Sequence, residues 1–360
     1  MSPPKSRAIL GLMTFGPDPT TGARITSLAT FGQILDAFQD HGYTEIDTAR
    51  VYMAGNQESF TAQAGWKERG LTVATKWYPL EPGFHQPAIL REKLEESLRE
   101  LGTDQVDTFY LHAPDRAVPF ANTLEEVDRL YREGKFKRLG LSNYTAYEVA
   151  EIVTLCAARG WVRPTVYQAM YNAISMSILH VRYTGMRLMD IARSIETELI
   201  PACRRYGLDI VIYNPIAAGV LAGKYKSPEI PAEGRYSAQS PTGHTYRDRY
   251  FKDSTFRALG IIESAAAKHR LTMAECAFRW IRHHSQLRMG ADGNDGVVIG
   301  ISSLSQLESN LEDFEKGPLP EEVVRALEEA WTLTKADSVV YWHGRLEYAY
   351  DVQKALFGSS

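Results

Sequence analysis

Along the chain, short apolar runs alternate with stretches whose apolar residues recur every three or four positions. Eight runs read as strands: AILGLM (8–13), YTEID (43–47), LTVATK (71–76), VDTFYL (106–111), RLGLS (138–142), TVYQ (165–168), DIVIYN (209–214) and GVVIG (296–300). They are rich in β-branched and large apolar side chains, as strands covered on both faces are. Between them lie amphipathic segments such as SLATFGQILDAFQDHG, QPAILREKLEESLRELG, TLEEVDRLYREG, YEVAEIVTLCAARG and SIETELIPACRRYG. Several finish on glycine, the usual helix stop. Eight strands alternating with helices predict an α/β fold, a (β/α)8 TIM barrel forming a single domain over residues 1–360. Extra helices follow the last strand. An aromatic tail at 335–360 is expected near the barrel mouth or at a subunit contact.

The spacing supports one repeated unit and exposes an exception. Strand ends near 47, 76, 111, 141, 168 and 213 are separated by 29, 35, 30, 27 and 45 residues. The long step contains 175–192, SMSILHVRYTGMRLMDIA, and falls to 27 without it. This insertion has no clear strand or helix period. One reading is a translated intron. Ser175–Ser177 can be encoded with a GTATGT donor, Leu188–Met189 with a CTAAT branch and Ile191–Ala192 with an AG acceptor. Excision then leaves YNAITRSIETEL in frame, and the chain as written is the inactive product of an unspliced message. The other reading is a lid at the barrel mouth. A second long connection, 219–251, reads as a polar Gly/Pro-rich loop of the kind that clamps ligands.

Bulk properties narrow the class. The chain has 360 residues, 44% hydrophobic, with Lys+Arg 40 against Asp+Glu 44. That is globular composition with no global attraction for nucleic acid. Three widely separated cysteines, Cys156, Cys203 and Cys276, oppose a disulfide framework and fit a reducing compartment. No apolar stretch reaches the length of a signal core or a membrane span. A cytoplasmic protein is expected.

In such a barrel the carboxyl ends of the strands carry the chemistry. They hold Asp47, Lys76, His112, Ser142, Asn143, Gln168, Tyr213 and Asn214, with Tyr52 in the loop after Asp47. Asp, Lys, Tyr and His together suit proton delivery to a carbonyl oxygen. A phenol near pKa 10 is a weak donor at neutral pH. An adjacent ammonium is expected to lower that pKa. A carboxylate anchors the ammonium, and a histidine meets the developing oxyanion. Tyr52 is therefore the expected acid, Lys76 its tuner, Asp47 the anchor and His112 the orienter. No metal motif, nucleophile elbow, Walker loop or GxGxxG fingerprint is present.

These residues resemble the aldo-keto reductase family, from GLMTFG to PEEVVRALEEAWTL. EIDTARVY is similar to its Asp/Tyr motif, VATKW to its lysine segment and YLHAPD to its histidine segment. GLSNY, VYQAMYN, YNPIAAGVLAGKY and GISSLSQLESN resemble its cofactor segments. The last two, with KGPLPEEVVRALEEAW, place the resemblance in the aflatoxin-aldehyde reductase branch. The resemblance implies NADPH lying extended over the barrel mouth and an aldehyde, ketone or dicarbonyl substrate. Asn143 and Gln168, with Ser142 beside them, would hold the nicotinamide amide, and Tyr213 would stack on the ring. Met13 would sit beside them. Asn214, Pro215, Ile216, Ala217, Gly219 and Lys224 would line the pyrophosphate, with Arg235 closing over it. Gly300, Ser302, Ser303, Gln306 and Asn310 would hold the adenosine phosphate end. The substrate pocket is expected from Arg50, Trp77, Tyr78, His112, Tyr341 and Trp342, with Arg50 suited to an anionic aldehyde. A homodimer fits the branch. The alternative from another class is an NADPH-binding, redox-sensing regulatory subunit.

Overall fold

The structure is a computed structural model and describes residues 5–174, 195–337 and 340–358. The insertion 175–192 lies outside the described residues. Eight strands, β1 (Arg7–Gly11), β2 (Glu45–Asp47), β3 (Thr72–Trp77), β4 (Val106–Leu111), β5 (Phe136–Ser142), β6 (Pro164–Met170), β7 (Asp209–Tyr213) and β8 (Gly296–Gly300), close in sequence order into one barrel. Every neighbouring pair is parallel, including β8 against β1. All eight predicted strands are present, with ends moved by at most two residues.

Helices cover the barrel: α1 (Leu28–Asp40), α2 (Gln57–Gln63), α3 (Pro87–Leu101), α4 (Phe120–Arg132), α5 (Ala146–Arg159), α6 (Leu199–Tyr206), α7 (Gly243–Tyr250), α8 (Asp253–Lys268), α9 (Met273–His283), α10 (Leu304–Glu315) and α11 (Glu321–Thr334). A short α12 (Val352–Phe357) lies near the end. The helices form where the pattern requires. In α1 the buried residues are Phe31, Ile34, Leu35 and Phe38, the i, i+3, i+4, i+7 stripe of a helix with one covered face. Ser27 caps its start by accepting from Thr30 N–H. Thr145 and Glu148 form a reciprocal capping box at the start of α5.

The barrel interior is filled by Ile9, Tyr110, Val166, Val211 and Val298, with Ala74 and Tyr213 packed against them. Tyr110 fits only because residue 140 is glycine. A Cβ there would lie 2.2 Å from Tyr110 Cδ1, far inside contact distance. Tyr110 pairs in register with Lys76, so this packing lies directly beneath the mouth.

The connection 219–251 is loop over 223–242, as its composition predicts, but it is more than a polar loop. It contains α7, and Tyr225, Tyr236, Tyr246 and Phe251 stack into a small aromatic core with centroids 4.5–6.1 Å apart. Tyr236 is fully buried, and its hydroxyl donates to Ala217 O at 3.0 Å. Aromatic rings spaced irregularly among Gly, Pro and Ser leave no helix or strand period, so the pattern hid them.

Candidate active site

β2 and β3 deliver the central pair. Asp47 and Lys76 are buried, and Lys76 Nζ lies 2.5 Å from Asp47 Oδ2. The ammonium also donates to Thr48 O at 2.6 Å. Asp47 Oδ1 accepts from Gln168 Nε2 at 2.9 Å. Burial lowers the Lys76 pKa, with Asp47 opposing the shift.

The turn after β2 presents Tyr52 beside this pair. It runs through Met53 and Ala54, both left-handed at φ 49 and 52. Two consecutive non-glycine residues in that region are strained, a feature that clusters at functional sites. Lys76 Nζ lies 5.2 Å from the Tyr52 ring centroid. The ring meets His112 at 6.1 Å, edge to face. The expectation that Lys76 lowers the Tyr52 pKa is corrected here. Burial raises it well above 10, and Asp47 adds to the rise. Removal from water is the larger cause, and the Asp47 carboxylate, 2.5 Å from the Lys76 ammonium, works in the same direction.

His112 follows β4 and is held neutral, its pKa driven well below 6.5 by burial and then by Lys76. Its Nδ1 is buried without a partner. A buried N–H lacking an acceptor is rarer than a buried lone pair, so the single ring proton is assigned to Nε2. That nitrogen is then the donor left for a ligand.

The nicotinamide candidates converge on the same mouth. Ser142 and Gln168 are register partners on β5 and β6. Asn143 is left-handed at φ 62. Its Nδ2 donates to His112 O at 2.8 Å and Ser142 Oγ at 3.0 Å, and its Oδ1 accepts from Tyr213 at 2.8 Å. The segment after β7 carries left-handed Asn214, Ala217 and Ala218 beside Gly219. Pro215 and Ala217 are buried and Ile216 is partly so. A Cβ on Gly219 or Gly300 would meet nothing within 4 Å, so backbone there is open to an incoming group. Lys224 is exposed, and Arg235 lies over the Tyr246 ring at 4.9 Å. Ser303 caps α10. Gln306 Oε1 accepts from Ser302 N and Oγ, and Asn310 is buried below.

The substrate candidates divide. Tyr78 is at the mouth, 5.3 Å from His112. Arg50 is not free for an anion: it pairs with buried Glu58 at 2.8 Å and donates to Gly55 O. Trp77 is core, 4% exposed, stacked on Phe84 with its Nε1 donating to Phe84 O. Tyr341 is also buried, its hydroxyl accepting from Ala146 N–H and donating to Glu198. Trp342 packs edge-on to Tyr341 and is only partly buried.

Four residues at or beside the mouth were missed. His343 donates its backbone N–H to Asn143 O at 3.0 Å, and its Nδ1 lies 3.2 Å from the Tyr78 hydroxyl. Arg116 holds the tail there, donating to His343 O at 2.7 Å and pairing with buried Glu148. Tyr246 of α7 approaches Met13 Sδ at 4.0 Å and bears on the Tyr52 charge. Arg249, also on α7, places its positive charge near Tyr78, Tyr213 and His343. Among the described residues no carboxylate lies within ion-pair distance of it. The basic, aromatic run TYRDRYF was the one signal that could have found Tyr246 and Arg249.

The fold and the four-residue constellation define a parallel barrel with titratable side chains gathered at its carboxyl face. The chain belongs to the aldo/keto reductase family, whose model matches residues 7–332. It is 43% identical over 315 residues to an aldo-keto reductase of Pseudocercospora fijiensis, covering 86% of this chain and all of that one. It is 40% identical over 353 residues to the human aflatoxin B1 aldehyde reductase member 2, covering 94% of this chain and 90% of the relative. A crystal structure of an aldo/keto reductase from Klebsiella pneumoniae, in complex with NADP and acetate, superposes with a TM-score of 0.62 at 23% identity. That match covers 90% of this chain and 91% of the other. Among the described residues, no helix is long and apolar enough to cross a membrane.

Proposed function

We propose that the chain reduces aldehydes to primary alcohols with NADPH, with Tyr52 as the proton donor. The grouping of Tyr52, Lys76, Asp47 and His112 at one end of the barrel carries this reading. The 40% identity to an aldehyde reductase supports the substrate class. The backbone open at Gly219 and Gly300, the left-handed run after β7 and the capped start of α10 fit a long anionic dinucleotide.

Bound NADPH supplies the hydride, which goes to the carbonyl carbon. The chain's own residues manage the oxygen. His112 Nε2–H donates to it as charge builds. Tyr52 gives up its proton, completing the alcohol, and is later reprotonated from solvent. Its raised pKa keeps it a phenol, the form a donor needs. Lys76 acts on the phenolate as it forms. The anionic-aldehyde role expected of Arg50 passes to Arg249, which faces the mouth without a competing carboxylate among the described residues. A guanidinium there suits a substrate carboxylate remote from the carbonyl.

The test is aldehyde-dependent loss of NADPH absorbance with the purified chain, using 4-nitrobenzaldehyde and succinic semialdehyde. Turnover of either supports the reading. No turnover, with NADPH shown to bind, rejects it for this chain.

A further inference from the structure

We infer that Asp47 is a positioning residue for the Gln168 amide, and that it thereby makes the site discriminate the group carried at position 3 of the nicotinamide ring. The inference rests on the proposed cofactor reading.

Asp47 divides its two oxygens. Oδ2 faces Lys76 and Oδ1 accepts from Gln168 Nε2 at 2.9 Å. Asp47 and Gln168 are each only 4% exposed. A carboxylate in an ion pair only accepts hydrogen bonds. The amide of Gln168 therefore has one allowed orientation. Turned over, it would set two buried oxygens against each other.

The consequence falls on the other end of the amide. Gln168 Oε1 has no partner among the described residues and is not one of the buried, unpartnered atoms. It is an acceptor at the mouth. Its neighbour Asn143 has both Nδ2 hydrogens committed to His112 O and Ser142 Oγ, and its Oδ1 already accepts from Tyr213, whereas Gln168 Oε1 is wholly unengaged among the described residues. The group that matches Gln168 Oε1 is an N–H donor. The carboxamide of nicotinamide has one. A methyl ketone at the same ring position has none and leaves the acceptor unmet. Asp47 would thus shape ring selectivity through Gln168, in addition to anchoring Lys76.

The experiment is equilibrium binding of NADP+ and its 3-acetylpyridine analogue, read by calorimetry on the full chain. The unchanged chain should favour NADP+ by roughly tenfold or more, the effect of one unmade hydrogen bond at an acceptor that the bound ring covers. Asp47→Asn presents either an N–H or an oxygen to Gln168, so the amide is free to turn over. The ratio should then fall toward one. Gln168→Leu, which keeps Asp47 and Lys76, should lose the discrimination as well and serves if Asp47→Asn fails to fold. An unchanged ratio in either folded variant overturns the inference while leaving the cofactor reading intact. Binding of neither dinucleotide by the unchanged chain overturns the cofactor reading, and the inference with it.

Discussion

Lys76 Nζ sits 2.5 Å from Asp47 Oδ2 with both side chains almost wholly removed from solvent. A buried pair of this kind is held by mutual need: removing one partner strands the other charge. Lys76→Met should therefore cost about 3–5 kcal/mol of unfolding free energy. The double variant Lys76→Met/Asp47→Asn removes both charges and should regain part of that loss. Urea denaturation of the three chains checks it. Equal stabilities of the single and double variants would show that the charge left by the single change is met in another way.

Tyr52→Phe removes one hydroxyl and keeps the ring against His112. Loss of a positioned acid should lower turnover by about 10²–10⁴-fold. NADPH affinity should stay within a few fold, because the proposed role concerns the substrate oxygen. Single-turnover hydride transfer and fluorescence titration separate the two effects. Retained turnover would remove Tyr52 from the acid role.

Arg249 offers a sharper contrast between substrates. Arg249→Gln should lower kcat/KM for succinic semialdehyde by roughly 10–100-fold through the lost charge-assisted bond. The value for neutral 4-nitrobenzaldehyde should change little. The same comparison on Arg50→Gln is expected to show no such selectivity, since Arg50 is engaged with Glu58. Parallel losses on both aldehydes would place Arg249 in folding or cofactor binding instead.

The barrel was legible because buried parallel strands are short apolar runs, and eight of them at a near-constant repeat admit few alternatives. The polar strand ends were legible for a related reason: a charge or amide closing an apolar strand has no packing role there. Side-chain destination was harder to read. Arg50 lies between Asp47 and Tyr52 in sequence, yet turns away to Glu58 on α2, a partner invisible without the turn at Met53–Gly55. Trp77 directly follows Lys76, and strand alternation sends it to the opposite side, onto Phe84. His343 reaches the mouth from far along the chain, by way of Arg116 and Glu148. Such long-range clasps carry no local sequence pattern.

Gly140 links the barrel core to the site. Gly140→Ala puts a methyl where the Tyr110 ring lies, 2.2 Å from its nearest atom. The ring must shift, and overpacking of this kind costs about 1–3 kcal/mol. Tyr110 neighbours Lys76, whose Nζ is 5.9 Å from its centroid, so activity should fall as well. Gly140→Ala combined with Tyr110→Val should restore much of the stability. Thermal melts of the single and double variants measure this. A single variant as stable as the parent would mean that the ring has room to move.

Three enclosed histidines set the acid limit of the fold. Burial holds His85 and His343 down at about 4, and His112 well below 6.5. In the unfolded chain each takes a proton near 6.5. Below that pH the unfolded state binds protons that the folded state refuses, so stability falls as pH drops from about 6.5 toward 4 and is fully present above 6.5. For His85 the difference amounts to roughly 3 kcal/mol by pH 4, at 1.36 kcal/mol per pKa unit. His85→Gln, which has no proton to take up in this range, should flatten the slope of stability between pH 6.5 and 4.5. The variant's absolute stability can move in either direction without affecting this slope. Urea midpoints at half-unit pH steps read it. Identical slopes in parent and variant would mean that His85 takes up its proton as readily folded as unfolded.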